Sequence, residues 1–271
     1  MKSETDQLVS EGNCLDLSGA GLRELPEELG GMAGLRKLYL DNNRLTQFPS
    51  ALLSLEALET LSIHGNEIAE LPSKLWGLIN LRELNLSGNG ISEVSPEIQQ
   101  LSKLRMLDLG HNKLAKIPAS IGEIKSLTDF LYLHENQLSS LPETLASLSS
   151  LSYLNISGNL FTRVPDAIWG MAALVELRIA GNKITDLTHH LGRLVDLEEL
   201  HARDNQISLI PDELFALDKL SVVDLRGNQL ESIPAGFTEM DSLRKLDLRW
   251  NKLSHTPVTD ELQGRGITVY L

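Results

Sequence analysis

The sequence predicts an α/β solenoid of about eleven stacked repeats, with a parallel sheet lining a concave side and an irregular, short-helical convex side. Three observations predict it: a 23-residue period, an asparagine held in register in ten copies, and a proline at a nearly constant offset from that asparagine.

Asn43, Asn66, Asn89, Asn112, Asn136, Asn159, Asn182, Asn205, Asn228 and Asn251 recur every 23 residues, apart from one step of 24 between Asn112 and Asn136. Each stands in the frame L-x-x-L-x-L-x-x-N-x-L, as Leu35, Leu38, Leu40, Asn43 and Leu45 show. A degenerate earlier copy has Leu15, Leu17 and Leu22, with Ala20 in the asparagine place. Nine of the ten prolines fall six residues after the asparagine position and Pro96 falls seven after it, while the repeat through Leu187, Thr188, His189, His190 and Leu191 has none.

The period-two alternation of Leu38, Tyr39 and Leu40 points the leucines inward and the residue between them outward, so each repeat contributes one short strand. Stacked at about 4.8 Å, eleven strands would run roughly 50 Å along the inner edge. The asparagine follows the strand where the chain turns away. Its amide is suited to satisfying backbone groups that would otherwise be buried unpaired, which makes the column structural. Leu45, Phe48, Leu52 and Leu55 then fill the wedge toward the outer wall, where proline opposes a long helix. Trp76 and Trp169 occupy equivalent outer-wall positions.

In this frame the chain resembles the leucine-rich-repeat family over roughly residues 12 to 271. It is similar to the 23-residue class with an L-P-x-x-(L/I) segment, found in Ras-group intracellular proteins and many bacterial ones. The resemblance implies a leucine-rich-repeat horseshoe that binds a protein or peptide on its concave face. Fold analogy alone does not assign a function.

A single domain is expected: residues 1–13 as an N-terminal cap, 12–257 as the solenoid, and 258–271 as a C-terminal cap and closing half-repeat. Asp260 to Gln263 would form one helical turn, and Val269 and Leu271 fall where strand leucines of a twelfth repeat belong. That ending argues against a further domain after it.

The net charge of −13, from 24 Lys+Arg against 37 Asp+Glu, disfavours nucleic acid and anionic membrane as partners. On the outward strand and turn positions, ten basic residues face eleven acidic ones, with a balance of −3 before residue 170 and +2 after it. The N-terminus has no apolar signal region, and the single Cys14 excludes an internal disulfide framework. These features predict a cytoplasmic, monomeric scaffold or signalling module, with delivery into a host cell as an effector the alternative location.

Two features stand out as partner-binding candidates. The 24-residue step falls around Phe130, where an extra residue beside a strand predicts a bulge. Phe130, Tyr132, His134 and Tyr153 would then cluster on the inner face, unless Phe130 turns into the core. The second feature is a basic column of Arg203, Arg226 and Arg249, with Arg178, His201 and Trp250 beside it. It would grip acidic groups of a partner, or form an ion-pair ladder with Asp224 and Asp247.

No catalytic motif, cofactor site or metal site is expected. His189, His190 and Asp186 lie too close in sequence to converge readily on one ion, and Cys14 has no activating histidine nearby in sequence. The leading expectation is a non-catalytic interaction module. The alternative is a recognition arm or bacterial effector serving an enzymatic domain or partner outside this chain.

Overall fold

A computed structural model describes residues 13–254 and 256–271. The expected N-terminal cap falls almost entirely outside them. The chain divides into two compact units, residues 1–136 and 137–271.

Among the described residues the first unit holds six three-residue strands: β1 Cys14–Asp16, β2 Lys37–Tyr39, β3 Thr60–Ser62, β4 Glu83–Asn85, β5 Met106–Asp108 and β6 Phe130–Tyr132. They pair in parallel in chain order, Leu15 opposite Leu38, Leu38 opposite Leu61, and so on to Leu107 opposite Leu131. The second unit repeats the pattern with β7 Tyr153–Asn155, β8 Glu176–Arg178, β9 Glu199–His201, β10 Val222–Asp224, β11 Lys245–Asp247 and β12 Thr268–Tyr270. Leu154, Leu177, Leu200, Val223, Leu246 and Val269 form one row across it. This middle row points inward, with Leu38, Leu61, Leu107, Leu154 and Leu200 at 0% exposure, so each unit is a leucine-rich solenoid whose sheet is buried on one side.

Among the described residues, ten five-residue 3-10 helices form the other wall, five in each unit. In eight of them the N-cap is a proline of the periodic column, such as Pro49 at φ −66° and ψ 120°. The ring fixes the extended entry, and the missing N–H costs no helical bond there. Pro96 is displaced by one place because Ser95 takes the cap, its hydroxyl accepting from the Glu97 N–H, and Pro96 becomes the first helical residue. The proline-free repeat enters its helix through Thr188 at φ 26°. Trp76 and Trp169 are buried in these walls at 1% and 4% exposure.

The asparagine column works as the sequence suggested. Asn205 Nδ2 donates to the carbonyls of Ile179, Ala202 and Arg203 at 3.0, 3.1 and 3.2 Å, while its Oδ1 accepts from the Ile184 N–H at 3.0 Å. Each asparagine thus ties its own turn to the preceding repeat. The residue before it, or before Ala20 in the first copy, takes a left-handed conformation. This position is Gly19, Gly65, Gly88, Gly158, Gly181 and Gly227 in six repeats, and Asn42, His111, Glu135, Asp204 and Trp250 in five, with φ between 49° and 69° throughout.

The extra residue between Asn112 and Asn136 does not bulge the strand. Met106, Leu107 and Asp108 stand opposite Phe130, Leu131 and Tyr132 without interruption. Asp129 N donates to the Arg105 carbonyl at 3.1 Å, as Arg105 N does to the Arg82 carbonyl one repeat earlier, so the insertion is absorbed at Thr128 ahead of β6. The expectation of a bulge is corrected: the ladder constrains the strand more than the approach to it.

At the end of the second unit the helix is longer than the single turn expected. Helix α1, Pro257–Gly264, starts where the Thr256 N–H donates to the Thr259 Oγ1 at 3.2 Å, and it buries Leu262. β12 then adds a twelfth strand, with Val269 opposite Leu246.

Close packing between neighbouring 3-10 helices makes one glycine critical. A Cβ on Gly170 would lie 2.6 Å from the Ala146 carbonyl oxygen and 2.9 Å from the Ala146 Cα. Both obstacles are backbone, so Gly170→Ala must part the helices Glu143–Ser147 and Asp166–Gly170. A loss of about 1–3 kcal/mol is expected, read from the denaturant midpoint.

Candidate functional site

The outward positions of each sheet form rows 23 residues apart in sequence, so side chains from different repeats meet. In the first unit the candidate residues are aromatic. Phe130 is 41% exposed, which rules out the inward alternative. Its ring stacks on Tyr132 at 5.8 Å, Tyr132 meets His134 edge-on at 6.0 Å, and His134 meets His111 edge-on at 4.8 Å. His134 packs over Gly110 of the neighbouring repeat, where a Cβ would come within 2.2 Å of the imidazole. Burial pushes the His134 pKa down; Asp108 raises it, His111 lowers it, and the balance stays below the usual histidine value. Asp108 is pushed up by burial, against the opposing Gly110 N–H bond and the nearby His134 charge.

Tyr153 belongs to the second unit, where the Arg178 guanidinium sits 6.0 Å from its ring centre. Arg178 also donates through Nε to Glu176. On the next strand, His201 Nε2 is 2.9 Å from Glu199 Oε2 and 3.6 Å from Glu176 Oε1.

Beyond this group, Arg226 makes a two-pronged contact with Asp224, Nε to Oδ1 at 2.9 Å and Nη2 to Oδ2 at 2.7 Å. Arg249 holds Asp247 in the same way at 2.9 and 2.7 Å, and Arg226 Nε reaches Asp247 at 3.4 Å. The ion-pair ladder is therefore present for these two arginines. Its acids are nearly covered, with side-chain exposures of 10% for Asp224 and 3% for Asp247. Burial pushes Asp224 up, but the hydrogen bonds from the Arg226 side chain and backbone, with the Arg226 and His201 charges, hold it below its ordinary value. Arg203 is held more loosely, 3.9 Å from Asp204 and half exposed.

Trp250 is 73% exposed and sits at the left-handed position that other repeats fill with glycine. Arg249 lies between two rings, 5.8 Å from Trp250 and 4.9 Å from Tyr270. Tyr270, itself 41% exposed, is a member the sequence reading missed, though its position 23 residues after Asp247 places it on the same row. The pairing of Glu176 with Glu199 beside His201 was missed for a related reason: the three converge only once two repeats are stacked.

Comparisons with known proteins agree with this architecture. The family model described as a leucine-rich repeat region matches residues 73–179, and the one described as leucine rich repeat matches 33–91 and 195–253. No curated protein matches the sequence. Among solved structures, a leucine-rich-repeat protein of Leptospira interrogans is 29% identical, with a TM-score of 0.74 over 92% of this chain and 76% of its own. The plant peptide hormone receptor RGFR1, solved with RGF2, is 26% identical with a TM-score of 0.73, covering 88% of this chain; the match spans only 44% of the receptor structure. A chain in the octameric complex of Latrophilin 3, Unc5D and FLRT2 is 26% identical with a TM-score of 0.77, over 96% of this chain and 85% of its own. No described helix is long and apolar enough to cross a membrane. The asparagine ladder, the inward leucine row and both family models lead to one conclusion: the chain belongs to the leucine-rich-repeat family.

Proposed function

We propose that the protein is a non-catalytic interaction module that takes a protein or peptide partner on the sheet face of residues 137–271, around Trp250, Tyr270, Arg249 and Arg203. The observation that carries this reading is Trp250. A bulky side chain in the left-handed region costs on the order of 1–3 kcal/mol, and at 73% exposure the indole recovers little of that by burial. Such strain at an exposed aromatic is accounted for when the ring meets a partner, since tryptophan and arginine dominate interface energetics. The structural relatives support the class: one is a peptide hormone receptor solved with RGF2, another a multi-protein complex. The excess of acidic residues argues against a nucleic-acid partner.

Trp250→Gly tests the reading. The variant gains the residue that six other repeats use at this place, so its melting temperature should equal or exceed that of the wild type. In parallel capture experiments, a partner held by the wild type should bind about tenfold or more weakly. Retention of the same partners at the same strength would refute the assignment of this surface and move the search to Phe130, Tyr132 and His134.

A further inference from the structure

We infer that Glu176, Glu199 and His201 form a site for a single divalent cation of the zinc type on the sheet face of the second unit. The three side chains come from two adjacent strands, and each offers a ligand atom within 4.8 Å of the others. Around a tetrahedral zinc with bonds of about 2.0–2.1 Å, neighbouring ligand atoms lie about 3.3 Å apart. The separations of 2.9 Å from His201 Nε2 to Glu199 and 3.6 Å to Glu176 bracket that value, so modest side-chain adjustments would bring in an ion.

The surroundings favour a cation. Glu176 and Glu199 are directly opposite in the strand register, so two like charges face each other on one side of the sheet. Glu176 and His201 have side-chain exposures of 22% and 18%, which restricts their rotamers, while Glu199 at 41% keeps the site open to solvent. One imidazole and two carboxylates suit a borderline ion, and three protein ligands leave a coordination position for water or a partner's side chain. Local sequence holds no sign of this site, because Glu176 and Glu199 are separated by the length of a repeat.

Arg178 is the built-in competitor. Its Nε bonds Glu176, and its charge stands where the ion's second carboxylate must be released. This sets apart a metal site from a mere ion-pair cluster, for which Arg178 would be a supporting member.

The test is calorimetric titration of zinc chloride into the chelator-treated full chain, followed by the same titration of three variants. The wild type should bind one ion saturably at micromolar concentrations. His201→Gln and Glu199→Gln should each weaken binding by about a hundredfold, while Arg178→Gln should tighten it by about tenfold. Circular dichroism and melting verify that each variant is folded, and the paired loss and gain cannot both come from misfolding. No saturable binding by the wild type, unchanged affinity in His201→Gln, or weaker binding in Arg178→Gln would overturn the site. The readout needs no partner, so its failure leaves the interaction surface at Trp250 standing, and the converse holds.

Discussion

Asn205→Ala is expected to destabilise the protein by about 2–4 kcal/mol, a drop of roughly 5–15 °C in melting temperature. The amide is 7% exposed and serves three carbonyls and one N–H. Truncation strands the Ile184 N–H in a place water does not readily reach, and an unpaired buried group costs more than a made bond contributes. The carbonyls of Ile179, Ala202 and Arg203 each lose one donor but keep another, from Asn182 Nδ2, Asn228 Nδ2 and the Gly181 N–H. Asn205→Asp should be worse than the alanine change despite its matching shape. A carboxylate turns only acceptors toward the three carbonyls. Asn251, which is less buried, should show a smaller loss on the same change. Thermal and denaturant melts of the three variants check the order; equal losses at 205 and 251 would show that the column acts through volume alone.

Arg226→Glu is expected to act as a folding mutant, costing about 2–3 kcal/mol, before any effect on binding can be read. Arg226 closes over Asp224 and reaches Asp247, so the substitution puts a third carboxylate against two that are already covered. That result changes which variants can probe the face. Arg203→Glu and Trp250→Gly alter exposed groups, whereas Arg226→Glu removes a partner the fold uses.

The same ladder gives the protein an acid-sensitive contribution. Asp224 is held below its ordinary value in the folded chain, so its stabilising effect is present above the unfolded value near 3.8 and is lost as pH falls through the lower folded one. Stability measured against pH should therefore fall below about pH 4 in the wild type, with a shallower fall in Arg226→Glu, where the bond that depresses Asp224 is gone. Parallel slopes in the two proteins would show that other carboxylates carry the acid response.

The architecture was legible because repetition amplifies weak local signals. A leucine at one position says little; the same leucine ten times, with an asparagine at constant offset, defines strand, turn and inward face together. The proline column likewise marked the entry to most of the short helices. The 24-residue step was visible too, but its outcome was not. Whether an added residue bulges a strand or is absorbed before it depends on which backbone bonds the neighbouring repeat offers, and the Arg105 carbonyl receives Asp129 as its regular follower.

The candidate sites divide along the same line. By itself the sequence determined which strand residues face outward, and so marked Arg203, Arg226 and Arg249, because facing follows from period-two geometry; beside the added residue it left Phe130 open to either side. Only the tertiary structure decided which of them are already engaged. Arg226 and Arg249 spend their hydrogen bonds on Asp224 and Asp247, Arg203 is loosely held, and Trp250 stands in a left-handed turn with its ring in solvent. Glu176, Glu199 and His201 became a cluster only when stacking put residues a full repeat apart on neighbouring strands. The physical reason is range: a residue's facing is set by its own backbone, whereas its partners, exposure and charge balance are set by the repeat that folds beside it.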